Sequence, residues 1–548
     1  MKRLTTLLLV FLCSISFAQK KTDSLTAKMD AIFEKYNTKT TPGLAAGIVR
    51  NGKVIFKKGY GLANMEYDIP NSSSSVYDIA SVSKQFAGLA ISTLVQEGKI
   101  ALTDDIHKYL PEVPDFGKTI TIQHLVHHTS GLRDWPEGLN VAGWRWDEVF
   151  SFEDIQRMVK HQKELDFEPG EKHSYSNTGY NLLALIVERV SKKSFREWTD
   201  ANIFTPLQMS NSHFLDDHST LIKNMAYSYY SQLDGYHKRM TGLTAIGSSS
   251  LFTTVDDLCK WVINFDAQVA AKNPIYLRML EDGVLNNGEK VRYAFGLALS
   301  DVDGLKAVSH TGGWAAYRTV IMNFPDEKLS IILLGNAGDF NSYGSATDVA
   351  KYLLKGKFKS SESKQDKSKD LPTIAFNEVT AKKQAGVYKF GDGWFVSLTI
   401  EDGALMTQAT GEPKFPTQPK SDSVIWIDAY NASMTFIRDK QGAVTALRYR
   451  DQVRSKIVPL QPDAFKLVTY AGTYYSEELA TEYKIDYVNN KLAMHHMRLG
   501  DFDLQPDFVE ADVFTCDMGT LKFYSENGKL AGFRLSRGRV KNLKFIRR

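Results

Sequence analysis

Cysteine is scarce in this chain, at three residues in 548. Cys13, Cys259 and Cys516 nowhere approach metal-ligand spacing, which excludes a disulfide-built scaffold and a cysteine metal centre. Cys259 and Cys516 could pair in an exported chain, but read rather as two buried thiols. Net charge is scarce too: 67 Lys and Arg against 63 Asp and Glu leave +4. Such a balance gives no bulk field for binding nucleic acid. Long apolar runs are also missing, since none reaches the roughly 20 residues that a membrane-spanning helix needs. What is present is a globular composition, 43% hydrophobic, 24% charged and 11% aromatic, which fits neither disorder nor a fibrous repeat. The length exceeds what one hydrophobic core fills and predicts two to four domains.

The chain opens MKRLTTLLLVFLCSISFAQ. Lys2 and Arg3 form a positive start, Leu7 to Leu12 a short apolar stretch, and Ser16 and Ala18 a small-residue cleavage pattern. Residues 1–18 therefore read as a signal peptide, which predicts export as a periplasmic or secreted protein. Cys13 suits lipidation poorly because bulky Leu12 precedes it.

Residues 19–354 read as an α+β domain. In GLAAGIVRNGKVIFKKGYGLAN, two apolar runs flank Asn51-Gly52, a hairpin signal. Phe86, Leu89, Ala90 and Leu94 recur with helical period, and Gly98 supplies a stop. A second helix is expected from about Tyr180 to Val190. LSIILLGNA near residue 330 reads as a buried strand, and Val349 to Leu354 as helix. Strands at both ends with helices between predict one sheet shared by the first and last strands. Residues 355–372, KGKFKSSESKQDKSKDLP, are nearly free of apolar side chains and read as a linker. Beyond it lies a weak repeat. Ala385-Gly386-Val387-Tyr388 recurs as Ala471-Gly472-Thr473-Tyr474, Leu405 as Leu492, Phe436 as Phe523 and Gly442 as Gly528. Both copies alternate apolar and polar residues, which predicts two small antiparallel, barrel-like β domains at 373–461 and 462–548.

Ser81-Val82-Ser83-Lys84 opens the first clear helix. A serine hydroxyl needs a nearby base to become a nucleophile, and a spacing of three brings Lys84 onto the face of Ser81. The helix start also aims backbone N–H groups at a developing oxyanion. The motif is short, and Ser361 to Lys364 repeats it within the linker. Two further segments make the pattern specific. Tyr175-Ser176-Asn177 lies 94 residues after Ser81, just ahead of a helix, and His310-Thr311-Gly312-Gly313 follows 135 residues later, where an edge strand would line a cleft.

In this order the three motifs resemble those of the serine β-lactamase and penicillin-binding-protein superfamily, on its class C-like branch. LVHHTSGL, FEPGEKHSYSNTGY and GSSSLFTTVDDLCKW extend the resemblance over roughly residues 25–355. It implies a β-lactamase-like fold, an antiparallel sheet flanked by helices with a helical subdomain. It also implies a hydrolase that forms an acyl-enzyme on Ser81 without a cofactor. Lys84 and Tyr175 would share the acid and base work, and Asn177 would hold Lys84 and the substrate amide. His310, Thr311 and Gly312 would bind substrate, and the amides of Ser81 and Gly313 would form the oxyanion hole. His310 stands where many lactamases and peptidases have Lys. A largely neutral imidazole anchors a free carboxylate poorly, which favours esters, amides or peptides over penicillins.

Trp314 and Tyr317 are expected to wall the cleft. Trp135, Trp144 and Trp146 suit either a cleft wall or a core. His124, His127 and His128 lack a His-Glu-x-x-His pattern, so no metal is expected. Glu168 precedes Pro169-Gly170 and reads as a turn residue. The expected substrate is a small molecule, peptide or ester, of the D-aminopeptidase, D-Ala-D-Ala carboxypeptidase or esterase type. A class C-like β-lactamase and a penicillin sensor that acylates once stand as alternatives. The tandem β domains suit either cell-wall association or a cover for the site mouth.

Overall fold

A computed structural model describes residues 24–240, 242–359, 366–391, 393–460 and 464–548. The expected signal peptide and the second Ser-x-x-Lys, Ser361 to Lys364, lie outside the described residues. The chain divides into two compact units. One runs to Leu139 and resumes over Arg145–Ser360, and the other comprises Asn140–Trp144 and Ser361–Arg548.

The first unit is built on one antiparallel sheet. Its strands are β1 (Leu44–Arg50), β2 (Lys53–Tyr60), β3 (Ala298–Val302), β4 (Leu305–Trp314), β5 (Tyr317–Phe324) and β6 (Leu329–Gly335). Their order across the sheet is β3-β4-β5-β6-β1-β2. The hairpin β1–β2 turns on Asn51 and Gly52, both with positive φ, as a tight hairpin turn demands. The first and last strands meet as expected, with Leu44 opposite Gly335 and Ile48 opposite Ile331.

Both faces of this sheet are covered. Met29, Phe33, Ala346 and Val349 pack with Leu44, Ala46, Ile48, Val320 and Ile331 in one apolar cluster. On the other face, a Cβ at Gly47 would meet Val255 and Cys259. Double coverage explains why every residue of β6 is buried and why its sequence reads as an unbroken apolar run.

The four longest helices among the described residues are α1 (Lys84–Gln96), α2 (Asn177–Ser191), α3 (Val255–Ala270) and α4 (Ser342–Leu353). The periodic residues of α1 lie in a stretch buried on all sides, for every residue from Lys84 to Ser92 is buried. It is a central helix, and a Cβ at Gly88 would come within 2.2 Å of the Phe295 carbonyl. Among the described residues no helix is long and apolar enough to cross a membrane.

The second unit holds two antiparallel β structures. A nine-stranded sheet spans Gly386–Gly391 to Gln452–Ile457, and an eight-stranded closed barrel spans Gly472–Ser476 to Val540–Arg547. The repeat has a physical basis in its tyrosines. Tyr388 donates to Gln384 O at 2.6 Å and Tyr474 to Tyr470 O at 2.7 Å, so each buried ring ties the entry of its first strand to the segment before it. The expected linker is more ordered at its end than its composition suggests. Lys367–Asp370 form a 3-10 turn capped by Asp366, and Asp366 Oδ2 accepts from Ser433 N–H at 2.8 Å. Cys259 and Cys516 are both free thiols, Cys259 buried as expected and Cys516 only partly so.

Candidate active site

Ser81 sits on a single 3-10 turn, Ala80–Ser83, that runs directly into α1. Side chains three apart eclipse one another in such a turn, which brings Lys84 over Ser81. The turn is strained and pinned. Ala80 has φ +48°, a left-handed conformation that costs a non-glycine residue about 1 kcal/mol. Its N–H donates to Asp78 Oδ1 at 2.8 Å, and Leu251 N–H donates to Ser83 Oγ at 3.2 Å.

Lys84 is fully buried. Its Nζ donates to Ser81 Oγ at 3.2 Å, to Asn177 Oδ1 at 2.7 Å and to the Ser248 carbonyl at 2.7 Å. Two of these partners can only accept. The three acceptors match the three hydrogens of a charged ammonium; on loss of one proton, the accept-only Asn177 and Ser248 keep the remaining hydrogens and the lone pair faces the Ser81 hydroxyl.

Asn177 opens α2, where Ser176 Oγ caps the helix by accepting from Gly179 N–H. Its amide is oriented by Asp134, a buried residue that the sequence reading did not single out. Asp134 Oδ1 accepts from Asn177 N–H at 2.6 Å, and Oδ2 accepts from Asn177 Nδ2 at 3.2 Å. Because Nδ2 faces the carboxylate, Oδ1 must face Lys84. Asp134 follows the recognised LVHHTSGL segment by two residues, and that adjacency was the available signal. Ser248 was likewise inside a recognised segment, but a backbone carbonyl leaves no mark on sequence.

The His128 region templates the segment that carries Tyr175. Ser174 N–H donates to His128 O at 2.9 Å, and Ser176 N–H donates to His128 Nδ1 at 3.1 Å. Tyr175 lies between them, its ring centroid 4.3 Å from that of His128 and 6.1 Å from that of His310. Lys84 Nζ stands 4.8 Å from the Tyr175 ring centroid. The structure thus brings Ser81, Lys84, Tyr175, Asn177 and His310 into one neighbourhood.

β4 supplies the remaining side. Its pairing with β3 ends at Ser309 opposite Ala298, so His310 to Trp314 have no ladder partner on that side among the described residues. This half of β4 is an open edge beside the Ser81 turn. Gly312 makes the approach feasible, since a Cβ there would lie 2.2 Å from Ile79 O and 2.3 Å from Thr319 Oγ1. Thr319 Oγ1 donates to Ile79 O at 2.9 Å, closing the contact. Thr311 and Gly313 are exposed along the same edge.

His310 is buried, and its two ring nitrogens are occupied. A carbonyl can only accept, so Nδ1 donates to Thr311 O at 2.6 Å, and Nε2 then accepts from the Tyr293 hydroxyl at 2.9 Å. Burial, with the nearby Lys84 charge, depresses its pKa to about 3. The imidazole is therefore neutral, and no ring N–H is left over for a substrate carboxylate.

The aromatic expectations divide. Trp314 is half-buried and Trp146 is 40% exposed, their ring centroids 6.0 Å apart. Trp135 is buried behind them, 5.6 Å from Trp314. Trp144 groups with the second unit. Tyr317 is not a cleft wall: it is fully buried, and its hydroxyl donates to Ala226 O at 2.5 Å. Its ring packs inward beside Tyr77, the centroids 6.5 Å apart. The histidines of the metal question have separate partners. Thr121 N–H donates to His124 Nδ1 at 3.1 Å, and His127 Nδ1 donates to Tyr293 O at 2.9 Å. Glu168 lies on an exposed turn, paired with Lys118 at 3.0 Å.

A serine and a lysine on one turn, a tyrosine beside them and an open strand edge opposite make up a candidate serine hydrolase site. The model of the Beta-lactamase family matches residues 29–346, and the chain belongs to that family. Penicillin-binding protein 4* of Bacillus subtilis (strain 168) is 27% identical over 456 residues, 79% of this chain and 97% of the relative. The D-aminopeptidase of Gluconobacter oxydans (strain 621H) is 25% identical over 333 residues, 60% of this chain and 63% of the relative. Among solved structures, the octameric penicillin-binding protein homologue from Pyrococcus abyssi shares the fold. It has a TM-score of 0.55 at 22% identity, over 87% of this chain and 98% of that one.

Proposed function

We propose that this chain is an exported hydrolase that cleaves a peptide, amide or ester through an acyl-enzyme on Ser81. The observation that carries the reading is the position of Lys84, whose Nζ stands 3.2 Å from Ser81 Oγ and is held there by two accept-only partners at 2.7 Å. Lys84 as a neutral amine takes the Ser81 proton while Oγ bonds to the substrate carbonyl carbon. The amides of Ser81 and Gly313 receive the oxyanion, and one such donor is typically worth roughly 10²–10³ in rate. Tyr175 delivers a proton to the departing amine or alcohol as its bond to carbon breaks. Water then enters the same position, gives its proton back through these groups and releases the acid from Ser81.

The names of the relatives point to substrates of the penicillin-binding-protein and D-aminopeptidase kind. Neutral His310 supports peptides, amides and esters over efficient β-lactam turnover. The test is a time course of p-nitrophenyl acetate hydrolysis by the mature protein and by Ser81→Ala. Linear turnover lost in the variant supports the acyl-enzyme. A single stoichiometric burst supports a sensor that acylates once, and equal rates in both proteins remove Ser81 from the role.

A further inference from the structure

Beyond the oxyanion segment the open edge leads into a cleft of about 250 Å³, lined by Trp146, Arg239, Gly313, Trp314, Ala315 and Arg318. Two guanidinium groups thus share a space walled by two indoles. A Cβ placed on Gly313 would lie 3.7 Å from Arg318 Nη1, so this cation borders the proposed oxyanion donor.

Both arginines are built in. Arg318 Nη1 donates to Tyr317 O at 2.7 Å, and its Nε and Nη2 have no partner among the described residues. Arg239 is tied in through Ser228, whose carbonyl accepts from Arg239 N–H at 2.8 Å. Ser228 Oγ in turn accepts from Ala316 N–H at 3.2 Å. The Arg239 guanidinium lies 5.0 Å from the Tyr230 ring centroid. Among the described residues neither arginine forms an ion pair, and burial together with the like charge of Arg239 lowers the pKa of Arg318. The carboxylate that feels Arg239, Asp147, is already held by Arg145 at 3.1 and 2.7 Å.

The direction of the substrate follows from the proton donor. A leaving group must depart beside the acid that protonates it, and Tyr175 lies at the His310 end of the open edge. The acyl part then extends the other way from Gly313, toward Trp314 and Arg318. We propose that Arg239 and Arg318 select acyl groups that carry a carboxylate and disfavour those that carry an ammonium. This rests on the acyl-enzyme reading above and deepens it by naming the substrate class. It separates this chain from enzymes that require a free amino group in the acyl position. The anionic anchor that His310 cannot provide on the leaving-group side is supplied on the acyl side.

Three achiral p-nitrophenyl esters of equal acyl length test it: the adipic half-ester, the hexanoate and the 6-aminohexanoate. The expected order of kcat/KM is adipoyl, hexanoyl, 6-aminohexanoyl, with roughly a tenfold preference for adipoyl over hexanoyl. That ratio is read within each variant, so a general loss of catalysis cancels. Arg239→Gln and Arg318→Gln should each collapse it toward unity, Arg239→Lys should keep most of it, and added salt should shrink it in the wild type. A wild-type ratio near one, or a ratio unchanged in the Arg239→Gln/Arg318→Gln double variant, overturns the anion site and leaves the acyl-enzyme standing. Failure of all three esters to show Ser81-dependent turnover overturns the acyl-enzyme reading, and this inference with it.

Discussion

The Asp134 carboxylate accepts two hydrogen bonds from Asn177, one from its backbone N–H at 2.6 Å and one from its side-chain Nδ2 at 3.2 Å. Through this pair a residue that does not touch Ser81 decides which atom of Asn177 faces Lys84. Replacing Asp134 with Asn puts an amide where a carboxylate accepted twice, so Asn177 can turn its own amide nitrogen toward Lys84. The expected result is a fall in kcat on the order of 10²-fold, as for a catalytic group displaced by about an ångström. KM for a small ester should change little. Steady-state kinetics check the split, and a loss confined to KM would place Asp134 in substrate binding instead.

The neighbours Gly312 and Gly313 should behave oppositely. A Cβ at Gly312 meets Ile79 O at 2.2 Å, backbone that cannot yield, whereas at Gly313 the nearest atom is Arg318 Nη1 at 3.7 Å. Gly312→Ala is expected to destabilise the hydrolase unit by roughly 1–3 kcal/mol through overpacking and to abolish activity. Gly313→Ala should leave the melting temperature unchanged. Thermal melts of the two variants check this, and equal destabilisation would contradict the close approach of β4 to the Ser81 turn.

Acid should weaken the fold through buried neutral histidines. Burial depresses His127 to about 4 and His310 to about 3, while the unfolded chain titrates near 6.5. Between those values the unfolded state binds more protons than the folded one. Stability is therefore retained above pH 6.5 and lost as pH falls from there toward 4. Each such histidine contributes a slope of up to about 1.4 kcal/mol per pH unit. Urea midpoints at pH 7, 6 and 5 measure the slope, which His127→Gln should reduce. An unchanged slope would show that carboxylates carry the acid response.

The parts of this fold that sequence discloses are those where local chemistry and burial agree. Asn51-Gly52 needs positive φ at both residues, and the all-buried β6 reads as an apolar run because both faces are covered. The three motifs are legible because each places reactive side chains at fixed local spacing. Asp134 was missed because its role depends on a partner 43 residues away, and Ser248 because it acts through its carbonyl. Tyr317 was misassigned because nearness to Gly313 along the chain does not disclose the distant Ala226 carbonyl that holds its hydroxyl inside. Arg239 lies 79 positions before Arg318, and no spacing rule joins them. Only the fold does.

The central claim is covalent chemistry at Ser81, and the most direct measurement is mass spectrometry of protein quenched during p-nitrophenyl acetate turnover. One acetyl group is expected per molecule, on the peptide bearing Ser81, accumulating further when Tyr175→Phe slows deacylation and absent from Ser81→Ala. Acetylation at another residue, or turnover with no adduct in either Tyr175→Phe or the wild type, would contradict the account.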